Sequence, residues 1–230
     1  MKLLATDYDG TFKTSPNNFF LNIEAVNRFM KNGNKFAIVT GRDYCSIKNE
    51  LDYFGVKYDY LSCNNGLIIF DKNDRIVFSS ILDDEKLLLI RKYAVNDLNL
   101  KSIDFYNLYS HTYVLKNILE VCVKFNDLNA LKKYKSFIEN NLKDINCYIE
   151  SNIGFIGNNI TKADAVSNIS EIENINCSDI YTTGDNQNDL CMLEKFNGYK
   201  VSSSTLPNIV TEIEQVHTLI KQINGWFYET

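Results

Sequence analysis

The sequence has no run of about 18 apolar residues, so it predicts no membrane-spanning helix. It also lacks a long basic run: 24 Lys and Arg stand against 29 Asp and Glu, the net charge is −5 and the pI is about 5.1. This balance argues against a nucleic-acid partner. The apolar residues 3–5 are too few for the core of a signal peptide, and acidic residues follow at once. We therefore expect a cytoplasmic protein that binds neither nucleic acid nor membrane.

Histidine and paired cysteines are also scarce. The two histidines, His111 and His217, are isolated in the sequence, and the six cysteines form no C-x-x-C pair. We expect surface or boundary positions for both histidines. The cysteine spacing favours buried free thiols in a reducing cytoplasm.

What the sequence does contain is a short apolar run, residues 3–5, that leads through Thr6 into Asp7 and Asp9, followed by Gly10 and Thr11. The segment is too brief for a buried helix and predicts a buried parallel strand. Ligands of open α/β sheets bind beyond the carboxyl ends of the strands, so Asp7 and Asp9 are expected at the edge of an active site. Asp-Gly is also a common turn pair, and a plain strand-end turn remains an alternative for this motif alone.

Two carboxylates this close repel each other unless a cation or a shared proton relieves them. Mg2+ is a natural partner, because it takes oxygen ligands. One carboxylate can also attack phosphorus as a covalent nucleophile while the second transfers protons. Gly10 permits a tight turn whose backbone N–H groups approach an anion, and Thr11 adds a hydroxyl donor. The pair therefore predicts a metal-assisted phosphate site.

Three further segments place polar groups at a strand end or a helix start, where phosphate binding is favoured. Each has a plain explanation when taken alone: a turn, an exposed helix lysine or a helix N-cap. Their occurrence together is what favours a common site. They are the strand ending in Thr40-Gly41-Arg42, the helical segment opening at Lys162, and the strand ending in Gly184-Asp185-Asn186-Gln187-Asn188-Asp189.

These four motifs, in this order, resemble those of the haloacid dehalogenase (HAD) superfamily of phosphohydrolases, and most closely its Cof-type branch (class IIB, C2 cap). The resemblance covers essentially the whole chain. It implies an α/β fold, a Rossmann-like three-layer core with a parallel sheet, into which a small α+β cap domain is inserted. The expected domains are residues 1–81 for the first part of the core, 82–157 for the cap and 158–230 for the second part of the core.

The resemblance also implies roles for four acids and a lysine. Asp7 resembles the nucleophile that takes the phosphoryl group, and Asp9 the general acid/base whose backbone carbonyl ligates Mg2+. Asp185 resembles the Mg2+ ligand of the acidic motif, so Asp7, Asp9 and Asp185 form the expected metal site. Lys162 resembles the cation that offsets charge between nucleophile and phosphate, and Asp189 is expected to orient the metal site from behind.

A second set of residues is expected to bind the phosphate or the substrate. Thr40 resembles the hydroxyl that holds the phosphoryl oxygens, helped by the amide of Gly41. Asn188 is expected to complete or orient the surroundings of the metal. Asn65 lies in an Asn-Gly turn that has a counterpart near the site in Cof-type proteins. The full set is Gly10, Thr11, Thr40, Gly41, Arg42, Asn65 and Asn188.

Local patterns predict several elements that bear on the fold. The sequence predicts a loop through Pro16 before a helix over residues 21–31, a strand over residues 113–115, and a helix over residues 205–213 with Pro207 in its first turn. Four cap residues are candidates for substrate contact, with strand packing as the alternative. They are Tyr106, Tyr109, His111 and Tyr113.

The predicted function is a Mg2+-dependent phosphatase for a small phosphorylated metabolite such as a sugar phosphate, working as a monomer or weak homodimer. One alternative is a phosphomutase on the same scaffold, which returns the phosphate to a sugar. Another is a non-enzymatic, phospho-accepting regulatory module in the manner of receiver domains, which are shorter and have no inserted cap. The short cap and the stretch 201–204, unlike that of relatives, leave the substrate open. Mn2+ suits the oxygen ligands as Mg2+ does.

Overall fold

The computed structural model describes residues 1–202, 204, 206 and 211–225, which form two β-sheets with helices packed on them. The chain enters the larger sheet first and leaves it after an antiparallel hairpin. The elements of this first part are β1 (Leu3–Thr6), α1 (Pro16–Lys31), β2 (Lys35–Val39), α2 (Tyr44–Phe54), β3 (Tyr60–Cys63), β4 (Ile68–Asp71) and β5 (Ile76–Ser79).

The middle of the chain builds the smaller sheet. Its elements are α3 (Asp84–Val95), β6 (Leu100–Tyr106), β7 (His111–Thr112), β8 (Glu120–Phe125), α4 (Leu128–Asn141), β9 (Ile145–Glu150) and β10 (Ile153–Asn158). The strands are antiparallel in the order β7-β6-β8-β10-β9. One face is covered by α3 and α4, where Ile90 and Leu131 pack on Val121 and Val123 of β8. Because side chains alternate along a strand, the other residues of β8 point away from these helices, toward the larger sheet.

The chain then returns to the larger sheet. The elements of this last part are α5 (Lys162–Glu173), β11 (Ile180–Gly184), α6 (Leu190–Lys195), β12 (Asn197–Val201), β13 (Thr211–Ile213) and α7 (Val216–Asn224). Single turns of 3-10 helix lie at Asn64–Gly66, Cys177–Asp179 and Gln187–Asp189.

Among the described residues, the larger sheet has the strand order β13-β12-β11-β1-β2-β3-β4-β5. The strands from β13 to β3 are parallel, and β4 and β5 run antiparallel. Strand β1 is central, since Leu3 pairs with Ile180 on one side and Lys35 on the other. All of β1 is buried, which explains its unbroken apolar run. Residues that follow β1, β2 and β11 therefore meet at one edge of the sheet.

Helices cover both faces of the larger sheet. On one face, Phe29 of α1 and Leu219 of α7 share a cluster with Leu4. On the other, Val166 of α5 and Met192 of α6 share a cluster with Leu3. The result is a three-layer α/β core, and the predicted Rossmann-like fold with a parallel sheet is confirmed.

The chain crosses between the two sheets just before α3 and just after β10. Asn158 joins the two crossings, because its Nδ2 donates to Ser80 Oγ at 3.1 Å and to the carbonyl oxygen of Ile81 at 2.9 Å. We propose, as the sequence predicts, that residues 82–157 form a cap domain between core segments 1–81 and 158–230.

Pro16 does not lie in a loop, so that prediction is wrong. Ser15 caps α1, its side chain accepting from the backbone N–H of Asn18, and Pro16 occupies the first turn. A proline there loses nothing, because the first N–H groups of a helix have no partner within it.

The strand predicted over residues 113–115 is also wrong. Strand β7 ends at Thr112, and Tyr113 is 91% exposed. Residues 113–115 are exposed, and Tyr113 touches the edge of β7, with its ring centroid 4.8 Å from that of His111. In the segment 205–213, Thr211–Ile213 is strand β13 rather than helix, because it pairs with β12 and buries Ile213. Residues 205 and 207–210, with Pro207, lie outside the described residues.

In the part of the chain that the structure describes, no helix combines the length and apolar content needed to cross a bilayer.

Candidate active site

Asp7 lies one residue beyond β1, and its carboxylate meets a buried lysine. Lys162 Nζ donates to Asp7 Oδ1 at 2.6 Å and to Asp189 Oδ1 at 2.6 Å. All three residues are buried. Burial alone would lower the pKa of Lys162, but the charges of Asp189 and Asp7 outweigh it and raise that pKa above its usual value. A lysine cation is therefore fixed between two carboxylates.

The first turn of α5 holds Lys162 in place. Thr161 caps the helix, its side chain accepting from the backbone of Asp164, and the Asp164 carboxylate accepts from the Thr161 N–H at 2.9 Å. The Asn-Gly turn presses on the same point. Gly66 has a φ of +106°, and a Cβ there would lie 2.5 Å from the carbonyl oxygen of Thr161. Only glycine fits, so this turn and the start of α5 fix each other.

Asp189 is held by both of its carboxylate oxygens. Oδ1 accepts from Lys162, and Oδ2 accepts from the backbone N–H groups of Asp185 and Asn186, each at 3.0 Å. A Cβ at Gly184 would lie 2.4 Å from Asp189 Cβ, so the strand end packs directly on this side chain. Asp189 thus links the turn that follows β11 to Lys162.

Asp185 faces the turn that follows β1. Thr11 Oγ1 donates to Asp185 Oδ1 at 2.6 Å. Gly10 has a φ of +83°, and a Cβ there would lie 2.6 Å from Asp185 Oδ2, so a larger residue would displace the carboxylate. The Thr11 hydroxyl, which the sequence predicts on a phosphate, is engaged by Asp185 in this structure.

The carboxylates of Asp7, Asp185 and Asp189 form an acidic cluster in which the ligand oxygens lie within 4.8 Å of one another. Burial raises the pKa of Asp7 to about 8, even against the opposing charge of Lys162. Burial also raises the pKa of Asp185. The neighbouring aspartates add to both shifts, and a divalent cation would relieve the cost of keeping these buried carboxylates charged. A donor set made of oxygens suits Mg2+ or Mn2+, so these residues fit the predicted metal.

The Asp9 side chain stands apart from this cluster. It is 57% exposed, and its Oδ2 lies 3.7 Å from Nε of Arg42. Arg42 Nη1 in turn donates to Oε2 of Glu50 at 2.8 Å. Asp9 therefore lies at the accessible rim of the site, beside a guanidinium that α2 holds in place.

Glu50 is a residue that sequence reasoning missed. Besides Arg42, it accepts from the hydroxyl of Tyr8 at 3.0 Å and from the ammonium of Lys13. Burial alone would raise the pKa of Glu50, but these hydrogen bonds, with Lys13 contributing most, lower it to about 2. Nothing in the local pattern of α2 marks this glutamate, since its partners follow β1 and β2.

Residues after β2 and in the Asn64–Gly66 turn form another part of the site. Thr40 is buried, and its Oγ1 accepts from the N–H of Arg42 at 3.1 Å. A Cβ at Gly41 would lie 3.2 Å from Oδ1 of Asn65. Asn188 Nδ2 donates to that same oxygen at 3.0 Å. Within the described residues, the buried Oδ1 of Asn188 has no hydrogen-bond partner, so it is an acceptor available to a ligand.

A cavity of 370 Å³ opens between this edge of the larger sheet and the smaller sheet. We call its larger-sheet side the floor and its smaller-sheet side the ceiling. Asn64 Nδ2 of the floor donates to Glu120 Oε2 of the ceiling at 3.2 Å. Burial raises the pKa of Glu120 to about 7. The predicted residues in the floor are Asp7, Asp9, Thr40, Gly41, Arg42, Asn65 and Asn188, and the ceiling residues are Tyr106, Glu120, Cys122, Tyr148, Glu150 and Phe155.

The ceiling differs from the expected set of cap residues. Tyr106 lines the cavity, whereas Tyr109, His111 and Tyr113 are not among its lining residues. Tyr109 packs edge-on against Tyr44 of the larger sheet's domain, with ring centroids 5.9 Å apart, and His111 Nε2 lies 3.2 Å from Oδ1 of Asp104. No motif signals Glu120, Tyr148 or Glu150, whose positions follow only from the pairing of the cap strands.

A model of the haloacid dehalogenase-like hydrolase family matches residues 4–146 and, in a second overlapping match, residues 98–205. The chain belongs to this family. The predicted HAD-type hydrolase is thereby confirmed.

Three similar proteins accompany this HAD assignment. An uncharacterized protein of Mycoplasma capricolum is 26% identical over 248 residues, which span 90% of this chain and 93% of that protein. A haloacid dehalogenase-like hydrolase from B. subtilis has a TM-score of 0.80 at 15% identity and covers 97% of this chain and 99% of its own. A sugar phosphatase of HAD subclass IIB has a TM-score of 0.74 at 14% identity, covering 98% and 99%. These structural matches show the fold, which the chain shares with a protein of HAD subclass IIB.

In this HAD hydrolase, the four predicted motifs meet at one edge of the sheet. Asp7, Thr40 and Asp185 follow three adjacent parallel strands, and Lys162 reaches Asp7 from the start of α5. The acidic cluster contains Asp189 in addition to the predicted ligands Asp7 and Asp185. The catalytic and binding roles of these residues are proposals, given next.

Proposed function

We propose that the protein is a Mg2+-dependent phosphatase that hydrolyses a small phosphorylated metabolite, a sugar phosphate, through an aspartyl-phosphate on Asp7. The observation that carries this proposal is the Lys162 ammonium, 2.6 Å from both Asp7 and Asp189 and next to the Asp185 carboxylate. An anionic nucleophile that attacks a phosphate dianion needs positive charge in contact with both, because positioning and electrostatics dominate phosphoryl transfer.

The reaction has two steps. In the first, the Asp7 oxygen that is not bonded to Lys162 attacks phosphorus; an Asp7–phosphorus bond forms, the bond to the alcohol oxygen breaks, and Asp9 gives its proton to that oxygen. In the second, Asp9 takes a proton from a water molecule that attacks phosphorus, the bond to Asp7 breaks, and inorganic phosphate leaves. The half-exposed position of Asp9 suits a group that exchanges protons with alcohol and water.

Asp7, Asp185 and the backbone carbonyl of Asp9 would hold Mg2+. When bound, the ion offsets charge on the phosphoryl oxygens and between the carboxylates. Asp189 keeps Lys162 and the turn carrying Asp185 in position. Thr11 orients the Asp185 carboxylate. Gly10 has no side chain, which leaves room for that carboxylate.

Thr40 and the amide of Gly41 would donate to the phosphoryl oxygens. Asn188 would orient the metal's surroundings through its unpaired Oδ1, which can only accept. Arg42 and Asn65 border the same cavity. The support is that these groups line one space together with Asp7, and that an unpartnered acceptor is otherwise rare in a protein interior.

A small substrate suits the cavity. Its volume of 370 Å³ lies toward the lower end of the range for ligand pockets, about 300–1,000 Å³, and a subclass IIB relative of the same fold is a sugar phosphatase. The proposal includes a monomer or weak homodimer. It also keeps a cytoplasmic location and no nucleic-acid partner.

Release of inorganic phosphate from sugar phosphates, nucleotides and 4-nitrophenyl phosphate tests the proposal, with MgCl2, with MnCl2 and with EDTA. Asp7→Asn is the matched blank, because it keeps the shape of the side chain and removes the nucleophile. We expect metal-dependent release that falls by about 10³-fold or more in Asp7→Asn.

Each part of the proposal can fail separately. Near-wild-type turnover by Asp7→Asn would exclude the covalent route, and full activity in EDTA would exclude the metal. Isomerisation of a sugar phosphate without free phosphate would identify a mutase. No release from any compound would exclude the phosphatase itself.

A further inference from the structure

The ceiling of the cavity is acidic where the alcohol part of the substrate must lie. With the phosphate fixed at Asp7, the alcohol projects toward the smaller sheet. Two of the ceiling residues, Glu120 and Glu150, are acids, and the others are Tyr106, Cys122, Tyr148 and Phe155. None is a lysine, arginine or histidine. The floor adds a further acid, Asp43, next to Arg42.

Cations near the cavity are already committed. Among the described lining residues, Arg42 is the one cation, and it donates to Glu50 at 2.8 Å while lying 3.7 Å from Asp9. Lys162 is held between two aspartates. Lys124 pairs with Ile153, which in turn pairs with Glu150, so two strand spacings of about 5 Å each separate Lys124 from that acid.

We propose that the alcohol part of the substrate carries no negative charge and is a neutral or amino-bearing sugar whose hydroxyl or ammonium groups donate to Glu150 and Glu120. This inference rests on the proposed phosphatase function. A second phosphate or a carboxylate on the alcohol part of the substrate would be repelled by these acids, because the space is partly desolvated and its described lining residues offer no free cation to offset the charge. The rings of Tyr148 and Phe155, with centroids 6.1 Å apart, offer an apolar surface to the carbon atoms of the sugar.

Glu150 is the ceiling acid that allows a clean test. It is exposed at the end of β9, and its side chain makes no hydrogen bond to the described residues, so replacing it leaves the packing intact. Glu120 is buried and bonded to Asn64, so its replacement also disturbs the fold. Glu85, an exposed glutamate at the start of α3 and outside the cavity, provides a matched control.

The experiment compares kcat/KM within matched pairs that differ in charge: glucose 6-phosphate against 6-phosphogluconate, and fructose 6-phosphate against fructose 1,6-bisphosphate. Glucosamine 6-phosphate adds an amino sugar. In the wild type we expect kcat/KM for the neutral and amino sugar phosphates to exceed kcat/KM for their acidic counterparts by about tenfold or more. Glu150→Lys should narrow that gap by about fivefold or more, and Glu150→Gln should do so by less. Glu85→Gln should leave the gap unchanged.

Hydrolysis of 4-nitrophenyl phosphate separates this inference from the phosphatase proposal. If Asp7-dependent hydrolysis of that ester is present while neutral and acidic sugars are turned over equally, charge selection is wrong and the phosphatase stands. If Glu150→Lys keeps the full preference for neutral over acidic sugar phosphates, Glu150 is not the residue that selects against negative charge. If no phosphate ester is hydrolysed, both proposals fail together.

Discussion

The floor and the ceiling of the cavity are built in opposite ways. Directly beneath the floor residue Asp7, Lys162 and Asp189 are buried, and their charged groups meet their partners at 2.6–3.0 Å. In the ceiling, Glu150 is exposed and Tyr148 half-buried, and neither side chain makes a hydrogen bond to the described residues. Groups that act on the reacting atoms need fixed geometry, whereas groups that only contact the rest of a substrate do not. The protein thus separates an ordered chemical centre from a surface that can be altered at little cost in stability.

The largest effect is expected beneath the floor, from Lys162→Met. Removing the cation leaves Asp7 and Asp189 facing each other in a buried site, so turnover should be lost and the free energy of unfolding should fall by about 3–5 kcal/mol. Urea denaturation followed by circular dichroism measures the loss. Lys48→Met is the control. The Lys48 ammonium pairs with the exposed Asp52, and losing this ion pair should lower the free energy of unfolding by under about 1 kcal/mol. Equal losses of stability in the two variants would show that the buried Lys162 contributes no more than an exposed ion pair does.

Asp9→Asn tests the accessible member of the floor. An alkoxide leaving from a sugar phosphate needs a proton, so kcat for such a substrate should fall by about 10²–10⁴-fold. 4-Nitrophenolate leaves without one, so its release should show a burst of about one equivalent of enzyme before slow turnover. Stopped-flow absorbance records the burst. Steady turnover at the wild-type rate, without a burst, would contradict the role given to Asp9.

Gly10→Ala separates backbone strain from the position of a metal ligand. Gly10 and Gly33 have φ values of +83° and +80°, but a Cβ at Gly10 meets Asp185 whereas one at Gly33 meets nothing within 4 Å. Both alanine variants should lose about 1 kcal/mol of stability. Only Gly10→Ala should raise the Mg2+ concentration for half-maximal activity, by about tenfold. An identical Mg2+ titration for the two variants would show that Asp185 tolerates the displacement.

A pH-dependent effect is expected where floor and ceiling meet, at Glu120. Burial raises its pKa from 4.5 to about 7, so the folded protein binds this proton more tightly than the unfolded chain does. The stability that Glu120 contributes is therefore complete below about pH 4.5 and is lost as the pH rises through about 7. Relative to Glu120→Gln, which does not titrate, the wild type should lose about 3 kcal/mol of unfolding free energy over that range. Denaturation of both proteins at several pH values measures it, and a constant difference would contradict the buried carboxyl.

Much of the floor could be predicted from the sequence. A short, unbroken apolar run predicted the central strand β1, and parallel neighbours bring the residues after them to one edge, so Asp7, Thr40 and Asp185 were expected together. Lys162 was expected there from the order of the motifs. The Asn-Gly turn was a candidate, but its contact with the start of α5 was not foreseen.

The rest depends on partners that local patterns do not reveal. Thr11 donates to Asp185, 174 residues away, and Asn64 to Glu120, 56 residues away. Periodicity indicates which face of an element is buried but not what covers it. For the same reason, residues 113–115 looked like a strand: their composition is that of a buried segment, and only the fold leaves them exposed.

The central position of β1 has a consequence for how the protein is made. Thr183 of β11 donates a hydrogen bond to the hydroxyl of Thr6 across 177 residues. At about 5–20 residues per second of synthesis, β1 waits roughly 10–35 seconds for the strand that completes its pairing. The antiparallel sheet between them pairs strands that are close in sequence and can form during that interval. A nascent chain would therefore carry the folded smaller sheet before Asp7 meets Lys162 and Asp185, with one apolar strand edge open to chaperones or to other chains.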